Sequence, residues 1–248
     1  MKDGVIFVAT GQGYVELAIQ AAQSLRATNP GLAVDLFTDS ANATGLEVFD
    51  EVHPTPSSHP RVKLECFSRA RFERVLFLDC DVLVLAPLGD LFALADRFAL
   101  SIAHDMRRCT KLIRQGHTAV TPYAFPQMNS GVMVYRNDAE MSAFFAEWKR
   151  RYDAAGVTRD QVTLKDLLWE SDLRFYVLPP EFNLRRVTEL DAWEPLDAIP
   201  TILHSHRLLQ HLRGQGARVT TLAELRVLER EALEQEWAAL AGAAPWSR

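Results

Sequence analysis

The chain is poor in cysteine, with only Cys66, Cys80 and Cys109 among 248 residues, and these show neither CxxC spacing nor an even count. A disulfide framework is thereby excluded, and the three read as free thiols in a reducing compartment. Long apolar runs are missing too. The N-terminal MKDGVIFVATGQGYVEL carries only a five-residue apolar stretch before glycine and glutamine intervene, too short for a signal-peptide core or a membrane span. A soluble cytoplasmic protein without an integral membrane segment is expected. There is no cationic excess: 27 Lys and Arg against 32 Asp and Glu give a net charge of -5, so neither nucleic acid nor a membrane surface is expected as a partner. Internal repeats, low-complexity tracts and linker composition are also lacking, which favours one domain over residues 1–248.

What is present is a rhythm of strand and helix. GVIFVAT is a short apolar run, Val15, Ala18, Ile19, Ala22 and Leu25 mark one helical face, Asn29-Pro30-Gly31 stops it, and LAVDLFTD follows as a second strand. Continuous apolar strands separated by amphipathic helices imply a mostly parallel sheet with helices on both faces, an α/β fold. The pattern continues with a weak strand from Leu46 to His53, a helix from Pro60 to Phe72 and a strong strand from Val75 to Leu85. Strands are predicted over Arg97 to Ala103 and Gly131 to Tyr135, with a polar, irregular stretch from His104 to Gln127 between them. Met141, Phe144, Phe145, Trp148 and Tyr152 fall at helical spacing and read as core. A further helix is predicted from Asp160 to Trp169, and RFYVLPPEFN and AIPTILHSH supply two late short strands. Thr221 and Glu224 form a capping box that opens a C-terminal helix, within an extension over residues 208–248.

One apolar run poses a question. RVLFLDCDVLVL, residues 74 to 85, reads as a buried strand, yet it contains Asp79 and Asp81. Residues two apart on a strand point to one side, so the two carboxylates would project together while Cys80 faces away. At ~5 Å and an effective dielectric of about 20 their repulsion is ~3 kcal/mol, with desolvation added. A hard divalent cation at the carboxyl end of the strand would offset that cost and could grip a phosphate oxygen. The plainer reading, that both acids are solvated turn residues after a strand ending at Leu78, must contend with the apolar VLVLAPL that follows.

LFLDCDVLVLAPLGDLF resembles the DxD segment of the GT-A nucleotide-sugar glycosyltransferases, in particular the retaining group that includes glycogenin and bacterial lipopolysaccharide galactosyltransferases. MNSGVMVYRN resembles that family's Asn-Ser-Gly-Val strand, RDQVTL its Asp-Gln segment, VLPPEFN its Leu-Pro-x-x-x-Asn turn, and ILHSH its late histidine strand. All stand in the family's order, over roughly residues 4 to 207. The resemblance implies a GT-A, Rossmann-like fold and a metal-dependent hexosyltransferase using a nucleotide sugar, with UDP as the expected nucleotide and Mn2+ or Mg2+ as the cofactor. It puts the base against Ala9, Thr10 and Tyr14 with Asp39 nearby, the diphosphate near Lys63, and the metal on Asp79, Asp81 and a histidine, with Cys80 inside the motif. His204 is the implied third ligand, although His206 lies on the same face by the two-residue period. Asp105 and Asn129 would bind donor-sugar hydroxyls, and Asp160 and Gln161 would lie near the reacting carbon. Each has a plainer alternative: Tyr14 as helix packing, Lys63 as a surface lysine, Asp105 as a loop acid, Asn129 as a turn residue, Asp160 as a helix N-cap. The Gly and Lys-Pro-Trp that commonly follow the family's histidine are replaced here by RLLQHLRGQG, which leaves Arg207 as a substitute cation.

On this reading the leaving diphosphate is stabilised electrostatically, no proton donor is needed, and the stretch from His104 to Gln127 serves as a lid that keeps out water. Retention is the family precedent; an inverting enzyme would need a base such as Asp160. The acceptor is a glycan or other hydroxyl compound. Two alternatives are a haloacid-dehalogenase-like phosphatase, whose aspartate pair normally opens the chain, and a non-catalytic nucleotide-sugar-binding protein with a decayed site.

Overall fold

The computed structural model describes residues 2–57, 59, 61–106 and 116–240. Its centre is a seven-stranded sheet in the order β3-β2-β1-β4-β7-β6-β8, in which β1 is Asp3–Ala9, β2 Ala33–Thr38, β3 Glu51–Pro54, β4 Arg74–Leu78, β6 Leu100–His104, β7 Met128–Arg136 and β8 Phe175–Val177. The pairs β1–β2, β1–β4, β2–β3 and β6–β8 are parallel, and β7 alone runs antiparallel to both of its neighbours. The mostly parallel α/β sheet expected from the run of apolar strands is therefore present, with one reversed strand inside it.

Alternation along the strands feeds two cores. Val5, Phe7, Leu76, Leu78, Val132 and Val134 pack on one face with Val15, Ala18, Ala22 and Leu25 of α1 (Gln12–Thr28) and with Leu225 of the C-terminal helix, here α5 (Leu222–Ala239). Ile6, Val75, Phe77, Met133 and Tyr135 pack on the other face, against α2 (Lys63–Cys66), α3 (Ala139–Ala155) and α4 (Asp160–Glu170). The aromatic stripe of α3 is core, as its spacing predicts, and Trp148 is fully buried. The predicted capping box at Thr221 and Glu224 is formed, and Asn29 caps α1.

Several boundaries differ from the sequence pattern. The weak strand at 46–53 is a 3-10 turn, Leu46–Val48, followed by β3. The helix expected over 60–72 is reduced to α2 and a 3-10 turn, Phe67–Arg69; the chain must then extend at Ala70 to enter β4. Most consequential is the run from Val75 to Leu85, which is two strands rather than one. β4 ends at Leu78, and β5 (Val82–Val84) leaves the main sheet to pair antiparallel with β9 (Ile202–His204) in a small second sheet. Both pieces are apolar because both are buried, so hydrophobicity could not reveal the break. Cys109 and residues 107–115 of the expected lid lie outside the described residues, as do residues 241–248 of the C-terminal extension.

Candidate functional site

The break in that run builds the site. The Asp79 N–H donates to the Gly131 carbonyl (2.8 Å), holding it to β7, whereas the Asp81 carbonyl accepts from the Ser205 N–H (3.0 Å), holding it to the residue after β9. The two acids thus straddle the junction of the sheets. Between them Cys80 is buried, its Sγ donating to the Val8 carbonyl at 3.3 Å, and it lines the cleft between the two acids. Burial, reinforced by Asp79 and Asp81, pushes its thiol well above the usual range, so it stays neutral.

His204 closes the third side. Its Nε2 stands 3.4 Å from Asp81 Oδ1 and 3.9 Å from Asp79 Oδ2. Nδ1 is 2.9 Å from Asn183 Oδ1, and Asn183 in turn donates through Nδ2 to Asn129 Oδ1 (3.3 Å). With its amide committed in that direction, Asn183 accepts the Nδ1 proton and leaves Nε2 facing the carboxylates. This is the arrangement of an outer partner fixing a metal-ligating imidazole. Gly131 makes room for the ring: a Cβ there would lie 1.9 Å from His204 Cε1. One ligand atom from each of Asp79, Asp81 and His204 falls within 4.8 Å of the others, a donor set of two carboxylates and an imidazole that fits a manganese- or magnesium-like ion. His206 does not join the cluster; it begins the 3-10 helix His206–Arg213. A second group, Asp35, Glu51 and His53, is also close-set, but Arg71 forks onto Asp35 at 2.8 and 3.0 Å and neutralises it.

Around this centre lies a cleft of about 430 Å³ at the carboxyl ends of β1 and β4, the edge of an open α/β sheet where ligands bind. Thr10 and the half-exposed Tyr14 line it from the β1–α1 turn. Ala9 does not, being packed in the core at 1% exposure. Asp39 sits behind that turn and accepts from the Gly11 N–H at 2.8 Å, a bond that holds its carboxyl below the ordinary range.

Lys63 is not a surface residue. Nζ lies 3.1 Å from Asp79 Oδ1, 3.2 Å from Ser130 Oγ and 3.6 Å from Asp160 Oδ2. Burial works against its charge, but Asp79 and Asp160 outweigh it and its pKa is raised. Asp160 is the first residue of α4 and caps nothing; Arg159 holds the cap position without a side-chain bond. Its carboxylate is buried among Ser130, Lys63 and Arg61, and although burial opposes ionisation, the two cations pull its pKa down. The Trp148 indole fixes its backbone, donating to the Asp160 carbonyl at 2.9 Å.

On the far wall Asp105 and Asn129 meet, with Asn129 Nδ2 donating at 3.4 Å, and Gln161 lies beside them and accepts from Arg159 at 2.6 Å. The pairing of β6 with β7 skips from Met133 to Asn129 at this point, leaving Ser130, Gly131 and Val132 without partners on β6. An irregularity of this sort re-aims side chains, and here it turns Asn129 and Ser130 into the site. Burial also shapes Asp81: it opposes ionisation, but His204 and Arg185 together hold the carboxyl below its usual range.

The family model of the nucleotide-diphospho-sugar transferases matches residues 71–207, more than half of the chain and the part that carries the acidic pair, Asn129, Asn183 and His204. The chain belongs to that family. Among solved structures, the glycosyltransferase GlyE of Streptococcus pneumoniae TIGR4 aligns with a TM-score of 0.60 at 19% identity, over 100% of this chain and 67% of that one. The galactosyltransferase LgtC, in complex with donor and acceptor sugar analogs, aligns at 0.55 and 16%, over 82% and 87%. Mouse xyloside xylosyltransferase 1 aligns at 0.56 and 14%, over 83% and 98%. No curated protein sequence matches. The fold is GT-A and the protein a glycosyltransferase enzyme; the phosphatase alternative falls with that assignment.

Sequence reasoning missed several of this transferase's cleft residues. Arg61, Arg159, Arg185 and Arg213 all line it. Arg207, the substitute proposed for the absent Lys-Pro-Trp lysine, does not: its guanidinium pairs with Glu236 at 3.1 Å. Arg213, on the same 3-10 helix, enters the cleft instead, two turns of that helix further along. Arg185 stands two residues after the VLPPEFN turn and donates to the His204 carbonyl at 2.8 Å; its position near that motif was the available signal. Asn183 was inside a recognised motif, but nothing in the sequence said that it would hold the histidine. Among the described residues no helix is long and apolar enough to cross a membrane.

Proposed function

We propose that this single-domain transferase moves a hexose from a UDP-sugar to a hydroxyl acceptor, a glycan or similar compound, with retention and in the cytoplasm. One observation carries the reading: Asp79 and Asp81, anchored to different sheets, converge on the Nε2 of a histidine whose other nitrogen is already engaged. Three such groups crowded together are tolerable with a cation among them. Asp79, Asp81 and His204 would hold Mn2+ or Mg2+, which when bound supplies Lewis-acid stabilisation of a diphosphate leaving group.

The remaining roles belong to this chain's own residues. Tyr14 offers an exposed ring on which a base can stack, and Asp39 keeps the turn beneath it in place through Gly11. Lys63, Arg185 and Arg213 face the space where a diphosphate would gain negative charge as the anomeric bond lengthens. Asp105 and Asn129 present an acceptor and a donor to sugar hydroxyls. Gln161 faces the cleft without a charge, and Asp160, ion-paired and buried, is a poor general base, which supports retention over inversion.

The test is Asp81→Asn. Manganese-dependent release of UDP from UDP-hexoses should fall at least a hundredfold, with an unchanged far-ultraviolet circular dichroism spectrum. Release at the wild-type rate would overturn the proposal.

A further inference from the structure

Part of the positive charge near the cleft, that of Arg159 and Arg186, is left over by that scheme. Arg159, Arg185 and Arg213 line not only the donor cleft but also an adjoining hollow of about 350 Å³, which Arg186 and His206 line without touching the first. Among the described residues a single acid, Asp105, faces the same space. Among the described residues that line it, four guanidinium groups stand against one carboxylate, an excess of three positive charges from these groups in a chain whose net charge is -5. Its cations are under-paired. Arg159 stands 3.6 Å from Asp105, Arg186 is 4.0 Å from Glu236, and Arg185 and Arg213 have no carboxylate within 4.0 Å among the described residues.

Guanidinium groups gathered with less counter-charge than they carry repel one another, and an oxyanion relieves that repulsion while taking charge-assisted, often bidentate hydrogen bonds. A donor diphosphate can use the arginines that face the cleft, but not Arg186 or His206. We infer that the second hollow holds the acceptor and that the acceptor carries an oxyanion, a phosphate monoester or a carboxylate, beside its reacting hydroxyl. This rests on the glycosyltransferase reading. In the transfer, the acceptor oxygen bonds to the anomeric carbon as the bond from that carbon to the diphosphate oxygen breaks. The hydroxyl proton leaves to the released diphosphate or to water, and the acceptor's oxyanion is unchanged.

Calorimetric titration of the manganese-loaded protein, with and without saturating UDP, would compare glucose, glucose 6-phosphate and glucuronate. At least one of the anionic sugars should bind ten times more tightly than glucose, the tighter of the two identifying phosphate or carboxylate. Arg186→Gln should weaken that sugar about tenfold without moving UDP affinity, and Arg186→Lys should recover part of the loss. Equal binding of all three sugars, or displacement of the anionic sugar by UDP, would overturn the inference; displacement would assign the arginines to the donor. Failure of UDP itself to bind would strike the donor reading, while the Arg186 comparison made without UDP would still decide the anion site.

Discussion

Replacing Gly131 by alanine tests how the site is held together, because the nearest atoms the added methyl group would meet all belong to the His204 ring. A Cβ at 131 would sit 1.9 Å from His204 Cε1, 2.6 Å from Nδ1 and 2.8 Å from Nε2. Ordinary contact needs roughly 3.5 Å or more, so the ring must retreat by well over an ångström. It has nowhere to go without loss. His204 is 3% exposed, its N–H donates to the Leu184 carbonyl at 2.8 Å, and its Nδ1 is tied to Asn183 at 2.9 Å. Overpacking of this kind costs about 1–3 kcal/mol of stability. Turning the imidazole off Asn183 and away from Asp81 should cost about 10- to 100-fold in metal affinity, the usual penalty for losing an orienting partner. Manganese affinity by calorimetry and thermal unfolding with and without manganese would measure both terms. Gly31→Ala, where a Cβ meets nothing within 4 Å, is the control. Manganese affinity within twofold of wild type in folded Gly131→Ala protein would refute the claim that His204, as oriented here, is a ligand.

Lys63→Met should destabilise the fold by about 3 kcal/mol by leaving Asp79 and Asp160 without their shared cation. Because Asp160 is held below its ordinary pKa, its contribution is full above the unfolded value and lost as pH falls through the folded one. Without Lys63 its carboxyl titrates higher, so the acid-unfolding midpoint followed by circular dichroism should move to higher pH; an unmoved midpoint would count against the pairing. Tyr14→Ala should weaken UDP about tenfold in calorimetry and leave inorganic pyrophosphate unaffected, if the exposed ring stacks on the base. Glu229→Ala removes the buried acceptor of the Val187 N–H (2.8 Å) that docks α5 against the 3-10 turn Val187–Asp191. Denaturant unfolding should show a loss of about 1–3 kcal/mol, with UDP affinity retained.

The sequence by itself determined the layers of this protein and the chemistry of its centre. Period-two and period-3.6 apolar patterns are local consequences of which face is buried, so β1, α1, β2 and the aromatic face of α3 could be read from spacing alone. Two acids in an apolar run are an energetic anomaly visible without coordinates, and Asp79 and Asp81 announced the site in that way. Tertiary structure decided how the anomaly is resolved. Val82–Val84 is as apolar as Val75–Leu78 is, and only its pairing with Ile202–His204 shows that the chain changes sheets between the acids. Lys63 and Arg213 reach the cleft, and Arg207 turns to Glu236 instead, because of how α2 and the 3-10 helix His206–Arg213 pack, and a lone cation carries no periodic signal of which way it will point. Asn183 and Gly131 act on His204 across 21 and 73 residues of chain, through one hydrogen bond and one space left empty. Contacts of that range exist only once the chain has folded, which is why the ligands were legible and the residues that aim them were not.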